Sequence, residues 1–239
     1  MENYDLRYGD GRYAAASAPV SVRAAFLKGT YAHVAGAVLA FCAIEGALFA
    51  SGLAEPLART LFSLPFAGLL LMLGFMAASM MAGYFARSSN PKPVQYAGLG
   101  LYVLAESVIF LPLLWIADQR YPGQHIAAQA GIVTLLAVAA LTAAVWTSGV
   151  NFSFLGPVIW VGFLVAFGVA ICAYAFGFSL GLVFVAAMIV LASLAVVYQT
   201  SNIVHEYGPG QEVAAALGLF AAIATLFWYV LQLFMSNRN

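Results

Sequence analysis

Residues 96–117 read YAGLGLYVLAESVIFLPLLWIA, a run of 22 residues with one charged side chain, Glu106. At 1.5 Å per residue this run makes a helix of about 33 Å, enough to cross a hydrocarbon core of about 30 Å. A helix apolar on every side has no face to offer water, so lipid or other apolar helices must surround it. The same pattern recurs along the chain. Tyr31–Leu53, Leu61–Ala86, Ile126–Thr147, Leu155–Ala175, Leu180–Gln199 and Val213–Met235 are further runs of this kind. Polar or turn-rich clusters separate them, such as Arg87–Pro93, Asp118–Gly123 and His205–Gly210; the break at Phe176-Gly177 is thin and predicts a tight helical hairpin. The expected fold class is therefore an all-α integral membrane protein with seven transmembrane helices.

Composition leads to the same class. Hydrophobic residues make up 64% of the 239 residues and charged residues 8%, against roughly 25% charged in a soluble domain. Mean hydropathy is +0.96, which leaves too little polar surface to face water. The formal net charge is zero, so the chain lacks the basic footprint of a nucleic-acid binder and none is expected as a partner. Cys42 and Cys172 lie inside apolar runs and read as small buried hydrophobes, not as a disulfide or a metal pair. Residues 1–25 read as a polar, poorly ordered tail without the apolar stretch of a signal peptide, and residues 26–239 as the membrane domain.

Lys and Arg set the orientation. Arg7, Arg12, Arg23, Lys28, Arg87 and Lys92 fall on the N-terminal side, against Arg59, Arg120 and Arg238 on the other. The N-terminus is expected in the cytoplasm and, from short tails and compact loops, the membrane is expected to be a bacterial inner membrane.

Glu45 and Glu106 are the residues most suggestive of function. Each lies inside an apolar run, near mid-depth by residue count, with no Lys or Arg at similar depth. Carboxyls in this position face a bundle interior or a water-filled path, where they mark ion or proton routes or fasten helices as hydrogen-bonded acids. The two parent helices are expected to run in the same direction, with the acids about 6 Å apart in depth. The densest polar cluster at a membrane boundary is Tyr198-Gln199-Thr200-Ser201-Asn202 followed by His205-Glu206, expected as a helix end beside a solvated loop. Gly177-x-Ser179-x-Gly181 has the spacing of a nucleophile elbow but sits between two apolar helices, without the strand–turn–helix setting that chemistry needs. No catalytic or metal constellation is expected, and the chain is not read as an enzyme.

Several segments carry a resemblance. Phe26-Leu27-Lys28-Gly29-Thr30-Tyr31 leading into Val34–Phe41, Glu106 in the third run, Gly131–Val150 with Ala143-Ala144-Val145-Trp146-Thr147, Val197–Ile203 and Ala214–Phe234 together resemble the Bax inhibitor family, the transmembrane Bax inhibitor motif proteins. The resemblance implies a seven-helix fold in which the last helix is packed centrally among the other six. It implies a calcium-permeable leak, pH-sensitive in bacterial relatives, where an aspartate pair on the last two helices gates the path. Eukaryotic relatives restrain cell death. Here Gln199 stands at the first aspartate position and Ala222 at the second, and Thr225 replaces a polar Asn. Such a pair cannot share a proton, so the aspartate switch is expected to be absent. Calcium is expected only as a passing ion, with no bound cofactor. The alternative is a non-transporting interaction protein with a membrane-protein partner, acting in membrane protease quality control or a cell-death or stress response. An active transporter would often show inverted repeats; Pro65 and Pro112 interrupt their runs, but the two halves do not repeat.

Overall fold

A computed structural model describes residues 14–63 and 66–236. Within these, a short 3₁₀ turn at Ala15–Ser17 precedes eight helices: α1 (Val20–Ala50), α2 (Ala54–Ser63), α3 (Ala67–Phe85), α4 (Lys92–Arg120), α5 (Ile126–Ser148), α6 (Leu155–Phe176), α7 (Leu182–His205) and α8 (Glu212–Ser236). All but α2 are long and apolar enough to cross a membrane. The described residues contain no strand.

Two compact units divide the chain, one from residues up to 124 with 207–220, the other from 125–206 with 221 onward. In the first, α4 packs against α1, α2 and α3. His33 stacks on Tyr96 at 5.5 Å and Phe41 meets Phe110 edge-on at 5.1 Å. Both residue numbers rise together, so α1 and α4 are parallel, as expected. The α3–α4 hairpin closes through Asn90, whose amide donates to the Tyr84 and Phe85 carbonyls at 2.8 and 3.1 Å. Those are carbonyls that a helix C-terminus otherwise leaves unpaired. Gly98 lets the two backbones meet. A Cβ there would lie 2.8 Å from the Ala82 carbonyl oxygen and 2.9 Å from the Ala86 nitrogen.

In the second unit α7 packs against α5 and α6. The α6–α7 hairpin is as tight as the thin break predicts. A Cβ at Gly162 would stand 2.7 Å from Leu191 Cδ1, and one at Gly156 would stand 3.1 Å from the Tyr198 ring. Of the seven spans, α8 has the largest buried share of its apolar stretch, 56%.

Three expectations are corrected. The second span is not one helix from Leu61 to Ala86: α2 is a separate amphipathic helix and α3 begins at Ala67. On α2, Leu57, Leu61, Ala54, Ala58 and Phe62 form one arc, and Glu55, Arg59, Ser63, Pro56 and Thr60 the other. Arg59 pairs with Glu55 at 2.8 Å, a ladder a membrane-crossing helix would not carry. Cys42 and Cys172 are exposed on the outer surface of their helices, not buried; a thiol is apolar enough to face lipid. Finally, α1 starts at Val20, so residues assigned to the tail are helical, and the Ala15 N–H donates to the Tyr207 carbonyl at 2.8 Å. Residues 1–13 of the tail, Pro65 and Arg238 lie outside the described residues.

Candidate functional site

Glu106 sits at the middle of α4, fourteen residues from both Lys92 and Arg120, and is 4% exposed. Tyr102 stands one turn earlier on the same helix, its hydroxyl near enough to interact with the Glu106 carboxyl. Tyr102 is itself buried, ringed by Phe75 of α3 at 5.8 Å and Phe220 of α8 at 6.0 Å. A third buried polar residue, Gln95, lies on the same side. Spacings of seven and eleven residues place Gln95, Tyr102 and Glu106 within about 40° of arc and along about 16 Å of helix. Gln95 donates through Nε2 to the Asn90 carbonyl at 2.8 Å, while its Oε1 is buried without a partner among the described residues. This polar ladder on an otherwise apolar face was legible in the i, i+7, i+11 spacing, which reading for carboxyls alone passes over. Four residues beyond Glu106, α4 continues through Phe110 to Pro112. Proline there removes one ladder hydrogen bond, leaving the Val108 carbonyl without its usual donor.

Glu45 is also buried, at 6% exposure, and both carboxylate oxygens lack a hydrogen-bond partner among the described residues. With α1 ending at Ala50, Glu45 stands five residues, about 7.5 Å, from that end. The two acids are not brought together. The ring pairs between α1 and α4 bracket their axial offset between about 3 and 12 Å, and no contact joins them. A carboxyl buried without partners costs several kcal/mol, so Glu45 calls for a water, a proton or a cation.

The α7 cluster differs from the solvated helix end expected. The helix runs on through His205, and Thr200, Ser201 and Asn202 are buried. Ser201 fastens α7 to the connection between α5 and α6: its Oγ accepts from the Phe152 N–H at 2.8 Å and donates to Asn151 Oδ1 at 3.4 Å. His205 Nδ1–H donates to the Ser201 carbonyl at 3.0 Å. Tyr198 packs on Gly156. Only Glu206 is exposed. Gln199 Oε1, Thr200 Oγ1 and Asn202 Oδ1 are buried without partners among the described residues. Gln199 and Asn202, three residues apart, share a face. Ala222 on α8 is buried and offers only a methyl. Among the described residues no group of three or more His, Cys, Asp or Glu could hold a metal ion.

A family model described as "Inhibitor of apoptosis-promoting Bax1" matches residues 23–239. An uncharacterized protein of Pseudomonas aeruginosa is 33% identical over 113 residues, which is 47% of this chain and 50% of that protein. The chain thus spans about half the length of that curated relative. No solved structure matches.

Proposed function

The chain belongs to the Bax inhibitor family, and from that premise we propose that it is a passive calcium or cation leak in a bacterial inner membrane, its N-terminus in the cytoplasm. The observation that carries this reading is Glu106. A carboxyl at the centre of a membrane-spanning helix, on a polar face shared with Tyr102 and Gln95, supplies the charge and oxygens a dehydrating cation needs. Glu45, without partners near one end of α1, supplies a second charge along the route. On this reading calcium passes without residing, no cofactor is held and no reaction is catalysed. The aspartate switch is absent, because Gln199 and Ala222 cannot share a proton.

A second reading is favoured by that same substitution: a non-transporting protein that binds a membrane partner and modulates protease quality control or a stress response. Liposomes loaded with a calcium-sensitive dye separate the two. The leak predicts influx that Glu106→Gln abolishes and that changes little from pH 6 to pH 8. Absence of influx at every pH, from folded protein, refutes the leak and favours the interaction protein.

A further inference from the structure

We propose that the cleft between the α3–α4 turn and the first turns of α8 is a binding site for a phosphate group. The cleft has a volume of about 440 Å³, and its rim carries Arg87, Ser88, Ser89 and Gln211. It stands apart from the acids of α1 and α4 and does not rest on ion conduction.

Four observations make the cleft a place for an anion. Arg87 is exposed, its guanidinium lies over the Tyr84 ring at 5.2 Å, and among the described residues no carboxylate pairs with it. An exposed guanidinium over a ring keeps N–H donors that no carboxylate takes, and these suit phosphate oxygens. Second, the negative end of α3 is masked: the Asn90 amide takes the Tyr84 and Phe85 carbonyls, and Asn90 N–H takes the Arg87 carbonyl at 3.0 Å. The same turn holds Ser88 and Ser89 at the rim, and their hydroxyls make no hydrogen bond among the described residues.

Third, the nearby acid is already neutralised. Lys92 Nζ contacts Glu212 at 3.2 Å, and the Gly210 N–H donates to the same carboxylate at 2.9 Å. Arg87 therefore leaves the cleft with a net positive charge. Fourth, Gln211 is oriented: its Oε1 accepts from the Gly208 N–H at 2.8 Å, which leaves Nε2 free to donate. Below this polar rim the walls are Gly83, Ala86, Ala214, Leu217 and Gly218. Polar above and apolar below is the profile of a phospholipid headgroup with its glycerol end. Basic pockets between spans on the cytoplasmic side, the side the Lys and Arg distribution assigns here, bind such headgroups.

The test uses the full, delipidated chain in detergent with two probes. Phosphatidylglycerol is titrated and its adducts counted by native mass spectrometry. Inorganic phosphate is titrated in a thermal melt against sodium chloride at equal ionic strength. The wild type should retain the lipid, and Arg87→Gln should weaken it about tenfold, the worth of one charge-assisted hydrogen bond. Arg87→Lys should recover part of the loss, and Arg59→Gln on α2 should have no effect. Stabilisation by inorganic phosphate that Arg87→Gln removes assigns the site to phosphate in general; lipid binding without it assigns the site to the headgroup. Should Arg87→Gln fail to fold, the Ser88→Ala/Ser89→Ala variant, which keeps the charge, must still weaken lipid binding. Equal binding by wild type and the Arg87 or serine variants, or equal losses with Arg59→Gln, overturns the proposal.

Discussion

Gly98→Ala tests whether α3 and α4 meet at a rigid joint. The added Cβ would stand 2.8 Å from the Ala82 carbonyl oxygen and 2.9 Å from both the Ala86 nitrogen and Phe85 Cβ, where ordinary contact begins at 3.4 Å. The shortfall is 0.5–0.6 Å on three sides. Two of the obstructing atoms are backbone and cannot rotate away, so α3 itself must retreat. Overpacking of this kind costs about 1–3 kcal/mol, and immobile neighbours place it near 3. Alanine recovers about 1 kcal/mol of helix propensity, leaving a loss of about 2 kcal/mol. Gly100, two residues on, is the internal control: a Cβ there meets nothing within 4 Å. Gly100→Ala keeps the propensity gain of about 1 kcal/mol. The two variants should therefore differ by about 3 kcal/mol, a factor of about 100 in the unfolding equilibrium. Dodecyl sulfate titration in mixed micelles, followed by circular dichroism, measures both. If Gly98→Ala matches or exceeds Gly100→Ala in stability, α3 backs away freely and the joint is not rigid.

Tyr102→Phe removes the hydroxyl that interacts with Glu106. Loss of this buried polar contact should cost about 1 kcal/mol, yet leave calcium influx in liposomes, since the carboxyl stays. Influx abolished in folded Tyr102→Phe would make the hydroxyl, not the carboxyl, the essential group. Asn90→Ala strips the side-chain donors from the Tyr84 and Phe85 carbonyls and should cost about 1–2 kcal/mol in the same titration. Ser201→Ala leaves the Phe152 N–H without its acceptor; limited proteolysis should cut the connection between α5 and α6 faster than in the wild type.

The spans were legible because lipid solvation is a property of runs of residues. Five of the expected runs coincide with helices to within a few residues at most boundaries, and α1 and α3 are the exceptions. Both failures have one cause. Hydropathy does not see helix propensity: Val20–Thr30 is polar enough to leave the membrane yet has no proline, and its one glycine, Gly29, does not stop the helix. Ala54–Ser63 is apolar on one arc only, so it does not read as a span, and its apolar end from Leu61 runs into α3 in hydropathy. Glu106 was legible as a lone charge in an apolar run. Its partner Tyr102 was not, because a tyrosine in a chain that is 14% aromatic carries no alarm. The role of Ser201 was out of reach, since Asn151 and Phe152 stand about fifty residues away in sequence.

Carboxyl charge within the spans of this protein lies on α1 and α4, while the switch positions on α7 and α8 hold Gln199 and Ala222. A shared proton needs two carboxyls close enough that one ionises at the expense of the other. An amide and a methyl have neither. Gln199→Asp with Ala222→Asp supplies both at once, at positions that are already largely or fully buried. At the lower pH the pair shares a proton between its oxygens; as pH rises the proton leaves, and two like charges in an apolar surrounding repel each other. Calcium influx in liposomes should then change steeply between pH 6 and pH 8 in the double variant and stay level in the wild type. Ala222→Asp alone, with one carboxyl beside an amide, has no proton to share and should show no such step. A wild type already steep over this range would place a titrating gate elsewhere. A level response from a folded double variant would mean that α7 and α8 do not hold these positions within reach of each other.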